Sequence, residues 1–397
     1  HNRSPSQLKP NLLSIDRQKM KEDYRNVNNN DMDVSKGLEI ARELIKLILS
    51  ERADDHNDWM AVGWALYNIS QGNDEGFQLW NNFTANGDEP RGETRCIYEW
   101  ERMKRCNYNY TLGTLHHYAK LDNPVKYKEY KTVLSKKVVE DSLDGSHNDI
   151  AKLLKIDYGD EFVCASIENK IWYQYTGNKW ERIDSGIFLR KKISNNLMTK
   201  YDNYYKEILK KIFECESLNK SGDQKCYETK KEQIKKIKQN LKNSSWKNSV
   251  MRECMDEFFD SKFKQKLDMN PMLIGFNNGV YDLDRNIFRR GRPEDFLSKN
   301  MPVDYIDYSR DDDEIKELLS FLEKIFPDKS ILKYFLDISS DVFEGGNNNK
   351  KVYFWLGDGD NGKSILQTLF EYMLGEYQIK FDTNLITGNK PGSGSAH

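Results

Sequence analysis

The eight residues from Gly357 to Ser364 read Gly-Asp-Gly-Asp-Asn-Gly-Lys-Ser, and they constrain the fold more than any other feature of the chain. They follow an apolar run, Lys351 to Leu356, whose β-branched and aromatic residues are typical of a strand buried in a parallel sheet. Gly375 is a natural helix end, and the run before it has an apolar stripe at helical spacing that is expected to pack against the sheet: Ile365, Leu366, Leu369, Phe370 and Met373. Strand, glycine-rich loop and helix in this order predict a phosphate-binding loop.

Each residue type in this loop suits a polyphosphate. The glycines let the backbone turn successive N–H groups toward an anion at a helix N-terminus. The ammonium of Lys363 would lie on the β- and γ-phosphates, and the hydroxyl of Ser364 would complete the coordination of Mg²⁺. We therefore predict ATP and Mg²⁺ as cofactors, Lys363 as the catalytic residue and Ser364 as a metal ligand. The predicted nucleotide-binding set is Gly357, Asp358, Gly359, Asp360, Asn361, Gly362, Lys363 and Ser364.

Two features limit what this loop can do by itself. Asp358 and Asp360 would repel the phosphates and weaken binding unless they face solvent or magnesium. Hydrolysis also needs a second acidic strand and usually an arginine from a neighbouring subunit. The chain ends 397 − 364 = 33 residues after Ser364 and does not begin with Met, so we expect a fragment that binds ATP better than it hydrolyses it.

Composition narrows the class of protein. Lys and Arg number 61 and Asp and Glu 63, so the net charge is 61 − 63 = −2, which gives no global argument for a polyanionic partner. No run approaches the roughly 20 apolar residues of a membrane span, and no signal peptide is recognisable. The six cysteines form no C-x-x-C pair. We expect a soluble, intracellular protein with reduced thiols and no membrane partner.

The chain is too long for one ordinary core, and its first part predicts a linker and a helical domain. Residues 1–34 are polar and are interpreted as a linker. Residues 35–122 are predicted to form a small all-α domain with a Thr111 N-cap. Its tryptophans are expected in the core rather than on a base-stacking surface. The apolar positions at helical spacing are Leu38, Ala41, Leu44, Ile45, Ile48, Trp59, Val62, Leu66, Ile69, Phe77, Trp80, Phe83, Ile97, Trp100, Met103, Leu112, Leu115 and Ala119.

A charged linker is expected at 123–145, before an α+β domain at 146–300 with two β-hairpins. Residues 346–397 are predicted to form the N-terminal part of a P-loop α/β ATPase. Residues 301–345 predict a helical layer with apolar positions at Ile315, Leu318, Leu319, Leu322, Ile325, Ile331, Leu332, Tyr334, Phe335 and Ile338. The whole chain is thus predicted to be multidomain, with mixed α and β structure. The hairpins are expected at Ile171 to Tyr175 with Lys179 to Ile183 around Gly177-Asn178, and at Leu273 to Phe276 with Val280 to Leu283 around Asn278-Gly279.

Between the hairpins, residues 190–247 are helical in pattern and basic. They hold 16 Lys or Arg and 7 Asp or Glu, which gives 16 − 7 = +9 and leaves −2 − 9 = −11 for the remainder. With Tyr201, Tyr204, Tyr205 and Trp246 interleaved, the segment could line a path for a nucleic-acid backbone. A solvated helical face in a composition rich in Lys and Asn is an equal alternative.

The loop sequence, with Asn361 directly before Gly-Lys-Ser, resembles the Walker A motif of superfamily 3 helicases. The likeness is greatest to poxvirus and giant-virus primase-helicases and their phage relatives. Phe276 to Leu283 and Arg292 to Leu297 are similar to signatures of the domain that precedes the ATPase in this family. Three segments are similar to the type 2 primase C-terminal domain: Asp58 to Leu66, Gly76 to Trp80 and Thr111 to Leu115. Two segments after the loop also resemble family sequence: Asn384 to Gly388 and Gly392 to Ser395.

The resemblance implies an AAA+-like ATPase and an ATP-dependent replicative DNA helicase, with single-stranded or forked DNA as its partner. It also implies a homo-hexameric ring, a primase domain N-terminal to His1, and a place in the host cytoplasm or at a viral replication site. Two other interpretations stay open. One is an unrelated P-loop NTPase, and the other is a non-catalytic DNA-binding or assembly module with an incomplete loop.

Overall fold

The computed structural model shows a mixed α and β fold, mostly helical, with two three-stranded antiparallel sheets. The chain divides into two compact units, one of residues 1–269 with 292–296 and the other of residues 270–291 with 297–397. The second hairpin therefore groups with the glycine-rich loop, although the sequence was divided at residue 300. The structure describes residues 34–88, 91–105, 110–218, 221–345, 350–357, 359 and 361–381. The predicted linker up to residue 33 and the family segments after residue 383 lie outside these ranges.

The first unit begins with a bundle of five helices, as the apolar spacing predicts. Its core contains all four predicted tryptophans, of which Trp59 and Trp80 stack with ring centroids 4.7 Å apart. Ile97 was predicted to be in the core, but its side chain is 49% exposed and the neighbouring Cys96 is buried instead. The predicted Trp100 and Met103 are buried, and Cys96 takes the core position that was predicted for Ile97. The helices are α1 (Val34–Ile45), α2 (His56–Ser70), α3 (Asp74–Ala85), α4 (Glu93–Met103) and α5 (Leu112–Asp122).

The start of α5 is the capped N-terminus that the sequence predicts. The hydroxyl of Thr111 accepts from the backbone N–H of Gly113 at 3.1 Å, and the hydroxyl of Thr114 accepts from the N–H of Thr111 at 3.2 Å. This reciprocal arrangement satisfies two donors that a helix start otherwise leaves without partners.

The segment 123–145, interpreted as a linker, is mostly helical, which corrects that interpretation. Helix α6 (Pro124–Asp141) starts with Pro124, whose fixed backbone angle suits the first turn. It buries Tyr127 and Val139, while most of its other positions are charged or polar. Its apolar residues do not follow one stripe, since Val125, Val133 and Leu134 are exposed, so the periodic signal is weak and its partners become visible only in the folded chain.

The rest of the first unit combines a sheet with further helices. The first hairpin is confirmed, because Ile171 pairs with Asp184 and Tyr175 with Trp180. The preceding strand, β1, was not predicted and completes the order β1-β2-β3. A π-helical turn, Ile193–Leu197, separates α8 from α9. The elements are α7 (His147–Tyr158), β1 (Phe162–Ser166), β2 (Ile171–Tyr175), β3 (Trp180–Asp184), α8 (Ile187–Lys192), α9 (Met198–Ser217), α10 (Ser221–Asn240), α11 (Ser244–Glu257) and α12 (Phe263–Lys266).

Two tyrosines of the basic segment lie in the core of this unit. Tyr201 is fully buried and shares a hydrogen bond with Ser142 at 2.5 Å between the two hydroxyl oxygens. Tyr204 is also buried and donates to the carboxylate of Glu140 at 2.7 Å. The suggestion that these two rings face a nucleic acid is therefore wrong, since core packing already uses them.

The segment Arg292–Phe296 packs within the first unit, beside the start of α5. Arg292 donates to the hydroxyl of Tyr118 at 2.9 Å, and the indole N–H of Trp180 donates to the carbonyl of Pro293 at 2.7 Å. A side chain at Gly113 would collide with the carboxylate of Glu294. Gly113 and Glu294 of this unit therefore bring into contact two segments that were singled out by resemblance, Thr111 to Leu115 and Arg292 to Leu297.

In the second unit, the second hairpin is confirmed with a shifted turn. Phe276 pairs with Gly279, so the turn residues are Asn277-Asn278 and Gly279 lies in the strand. A Cβ atom at Gly279 would come within 2.5 Å of the Phe288 ring, which explains the glycine by close approach. None of the described helices is both long and apolar enough to cross a membrane. The elements are β4 (Leu273–Phe276), β5 (Gly279–Asp282), β6 (Ile287–Arg289), α13 (Asp313–Ile325), α14 (Lys329–Ser340) and α15 (Lys363–Leu374).

Candidate nucleotide-binding site

Helix α15 begins at Lys363, directly after the glycine-rich loop. Gly362 precedes it with a φ of 84°, in the left-handed region that favours glycine. A Cβ atom at this position would also come within 2.8 Å of the side chain of Ile325, at the end of α13. Backbone conformation and packing therefore both require glycine at position 362.

The ammonium of Lys363 closes the loop. It donates to the backbone carbonyl of Gly357 at 2.8 Å and to the side-chain carbonyl of Asn361 at 2.7 Å. A side chain at Gly357 would collide with the amide of Asn361. The structure thus brings together Gly357, Asn361 and Lys363 of the predicted set. The ammonium is held by two carbonyl oxygens of the loop.

The remaining described residues of the loop are accessible. Ser364 is exposed on the first turn of α15, and a Cβ atom at Gly359 would meet nothing within 4 Å. The first backbone N–H groups of a helix have no acceptor inside it, so an anion can receive them. An ammonium, helix N–H groups and a hydroxyl form a donor and ligand set that suits a magnesium-bound polyphosphate. The predicted Asp358 and Asp360 lie outside the described residues.

Helix α15 rests on the helical layer formed by α13 and α14. Leu366 is buried and packs with Leu322, Leu332 and Phe335. The predicted helix is therefore confirmed, but Leu366 packs against helices, whereas the stripe was predicted to pack against a sheet. Gly375 follows the last residue of the helix, as predicted. Ile365, also predicted to be in the apolar stripe, is 59% exposed, so the residues that the structure describes cover only part of that stripe.

The predicted strand before the loop is not formed. Residues 351–357 lie in no strand, and the side chains of Phe354 and Leu356 are 78% and 89% exposed. A strand exists only when a neighbour accepts and donates its backbone hydrogen bonds, and no described strand lies beside this segment. The strand prediction is therefore wrong for the described residues, and the α/β ATPase sheet stays a prediction.

An apolar cavity of about 350 Å³ lies beside the C-terminal half of α15. Phe335, Tyr353, Trp355, Phe370 and Leu374 form much of its wall. No lysine or arginine is among the described residues that line it, so it lacks the charge that phosphates need. The loop, rather than this cavity, is the candidate phosphate site.

Sequence reasoning did not identify Ile325 as part of this site. Its side chain fills the space that a Cβ atom at Gly362 would need. The sequence placed Ile325 in an apolar stripe of the helical layer, but periodicity gives no information about which loop a helix supports. The geometry shows that α13 holds the N-terminus of α15 in place.

Two family models match parts of the chain. Residues 41–119 match the family described as Primase C terminal 2 (PriCT-2), and residues 151–327 match the family described as D5 N terminal like. The match to the primase C-terminal family therefore precedes the match to the D5 N-terminal-like family along the chain.

Individual relatives come from large DNA viruses. The chain is 36% identical over 356 residues to a protein named "Putative helicase" of Acanthamoeba polyphaga mimivirus, covering 90% of this chain and 36% of that protein. A "Putative helicase" of Invertebrate iridescent virus 3 is 30% identical over 395 residues, covering 90% of this chain and 41% of that protein. A "Putative primase" of African swine fever virus is 25% identical over 304 residues, covering 70% of this chain and 31% of that protein. The chain spans less than half the length of these relatives. The two family matches and these relatives confirm the resemblance to viral primase-helicases.

Proposed function

We propose that this chain is part of an ATP-dependent DNA helicase-primase that acts in DNA replication. The observation that carries the proposal is the position of Lys363, which holds its ammonium against the Gly357 carbonyl and the Asn361 amide at the start of α15. The two domain matches and the printed names of the relatives support the same conclusion.

Each residue of the loop has a role in this proposal. Lys363 neutralises the β- and γ-phosphates of ATP, and Asn361 positions the lysine until the nucleotide takes over as its partner. Ser364 supplies one ligand to Mg²⁺. The glycines allow the backbone N–H groups to approach the phosphates closely. In the complete protein these residues serve a homo-hexameric ring that moves on single-stranded or forked DNA and carries an upstream primase domain.

Fluorescence titration of this chain with a fluorescent ATP analogue and Mg²⁺ tests the proposal. We expect Lys363→Ala to weaken binding about tenfold or more, because a lost charge-assisted contact costs about 1.5–3 kcal/mol. Lys333→Ala is the matched control, since it removes an exposed lysine from α14 in the same unit. Equal affinities of the two variants would exclude Lys363 as a phosphate ligand.

The metal role of Ser364 has its own measurement. Ser364→Ala should reduce the gain in affinity that Mg²⁺ brings, while binding in excess chelator should stay close to that of the unchanged chain. Thr368→Ala, one turn further along α15, is the control, because its hydroxyl bonds the Ser364 carbonyl within the helix. An unchanged magnesium effect in Ser364→Ala would remove this residue from the metal site.

A further inference from the structure

Two stretches of the first unit contain basic residues and no acidic residue. Residues 185–201 hold four Lys or Arg, and residues 233–252 hold six, without a single Asp or Glu. The 4 + 6 = 10 positive charges are separated by more than 30 positions in sequence. Whether they form one surface depends on how α8, α10 and α11 pack.

The structure brings these two stretches together. The hydroxyl of Ser194 donates to the carbonyl of Leu241 at 3.2 Å and accepts from the ammonium of Lys247 at 3.0 Å. Arg190 donates to the hydroxyl of Ser244 at 2.9 Å and to the side chain of Asn248 at 3.1 Å. The end of α8 and its π-helical turn therefore lie against the junction between α10 and α11.

The folded chain divides the ten basic residues into two groups. Four form ion pairs with carboxylates of this unit: Lys192 with Glu161, Lys200 with Asp157, Lys235 with Glu232, and Lys238 with Asp202. The other six form no carboxylate pair with any residue that the structure describes. We call these six the basic patch: Arg190, Lys191, Lys236, Lys242, Lys247 and Arg252.

Two members of the basic patch are held in place by neutral groups. Arg190 and Lys247 bond only hydroxyl and amide oxygens and a backbone carbonyl, so their charges are positioned but not neutralised. Fixed like charges without a counter-charge raise the local positive potential, which an anion would relieve. Exposed Asn195, Asn243 and Ser245 add uncharged groups of the kind that bond phosphate oxygens.

The opposite end of the same helices has a different charge pattern. Around the junction of α9 and α10, the exposed lysines Lys206, Lys210 and Lys225 are interspersed with the exposed acids Glu207, Glu214 and Glu216. Mixed charge of this kind is typical of a solvated helical face. The net charge of the basic segment is therefore concentrated at one end.

We propose that the basic patch is a contact surface for the phosphate backbone of DNA. This rests on the proposed function, which makes DNA the polyanion that the protein meets. Contacts made by ammonium and guanidinium groups to phosphates carry no base information, so binding is sequence-independent and strongly salt-dependent.

Fluorescence anisotropy of the 397-residue chain with labelled DNA, across a KCl series from about 50 to about 200 mM, tests the proposal. The first variant is Lys191→Gln with Lys242→Gln and Arg252→Gln, which changes only exposed side chains and so preserves the fold. We expect its affinity at the lowest salt to fall about tenfold or more. The slope of log K against log salt should flatten by about 2 for single-stranded DNA, at about 0.7 per lost phosphate contact.

The matched control is Lys206→Gln with Lys210→Gln and Lys225→Gln, which removes the same charge from the opposite end. It should change the affinity by less than about twofold, because those lysines lie among carboxylates. Equal losses in the two triple variants would show that net charge alone binds DNA and would overturn the proposal. So would an unchanged affinity of the patch variant, or failure of the unchanged chain to bind at the lowest salt.

The nucleotide proposal and the DNA proposal fail separately. The patch variant should keep the affinity of the unchanged chain for the fluorescent ATP analogue. Lys363→Ala should keep the salt-dependent DNA binding, since the basic patch and the loop belong to different units. Loss of the ATP signal with intact, patch-dependent DNA binding would count against the nucleotide site only, and the reverse result against the patch only.

Discussion

The guanidinium of Arg292 donates a hydrogen bond to the hydroxyl of Tyr118, 174 residues earlier in the chain, at 2.9 Å. The Tyr118 hydroxyl in turn donates to the carboxylate of Asp58 at 2.8 Å, and Asp58 accepts from Arg52 at 2.6 Å. The guanidinium carbon of Arg52 also lies 4.1 Å from the centroid of the Tyr118 ring. One tyrosine therefore connects two arginines and a carboxylate within the first unit.

Removing Arg292 should cost much of the stability of this unit. We expect Arg292→Ala to lower the free energy of unfolding by about 3–5 kcal/mol, because it leaves buried acidic and hydroxyl groups without their cation. Urea denaturation of the variant, of Tyr118→Phe and of the double variant measures this effect. The two single losses should not add, and additivity within about 0.5 kcal/mol would show that the pair is not coupled.

Gly113 should tolerate no side chain, although it lies in a helix. Alanine favours a helix over glycine by about 1 kcal/mol, so propensity alone predicts that Gly113→Ala stabilises the chain. Because the new methyl group would collide with the carboxylate of Glu294, we expect a net loss of about 1–3 kcal/mol instead. Gly222→Ala in α10 is the control, since a Cβ atom there meets nothing within 4 Å and should stabilise. Thermal unfolding that ranks Gly113→Ala at or above the unchanged chain would contradict the collision.

Glu294 should make the unfolding free energy depend on pH. Burial raises the pKa of its carboxyl from 4.5 to about 7, so between these pH values the folded chain keeps a proton that the unfolded chain has lost. Its contribution therefore falls as the pH rises through this window, by at most about 1.4 kcal/mol per unit. His116 and His117 act in the opposite direction, because burial lowers their pKa values to about 4.

The difference between Glu294→Gln and the unchanged chain isolates this carboxyl. Urea denaturation at pH 5 should give similar stabilities, and at pH 8 the glutamine variant should be the more stable one, since its amide stays neutral. A constant difference across the window would contradict the raised pKa of Glu294.

The two glycines on either side of Asn361 should respond differently to alanine. Gly362→Ala should disturb the start of α15, because its φ of 84° is strained for alanine and its Cβ atom approaches Ile325. Gly359→Ala has open space and should leave the unfolding free energy unchanged, while weakening ATP binding if the backbone there approaches the phosphates. Far-UV circular dichroism and nucleotide titration measure the two effects, and full ATP affinity in Gly359→Ala would place the phosphates elsewhere.

Local features of this chain were predictable from sequence because their causes are local. Turn residues between alternating strands located both hairpins, Thr111 marked the start of α5, and glycine before Lys-Ser marked the start of α15. Helix α6 escaped prediction because only a few of its side chains meet the core. The strand at 351–356 was predicted from composition alone, although a strand also requires a neighbour.

The amino-acid sequence alone determined most of the helices, both hairpins and the position of the glycine-rich loop before Lys363, since short-range spacing and backbone preferences specify them. Only the tertiary structure decided which distant groups meet. It placed Glu294 against Gly113, and it left six of ten basic residues without a carboxylate partner among the residues that the structure describes. The physical reason is that charge pairing and close packing depend on distances across the fold, and spacing along the chain does not contain those distances.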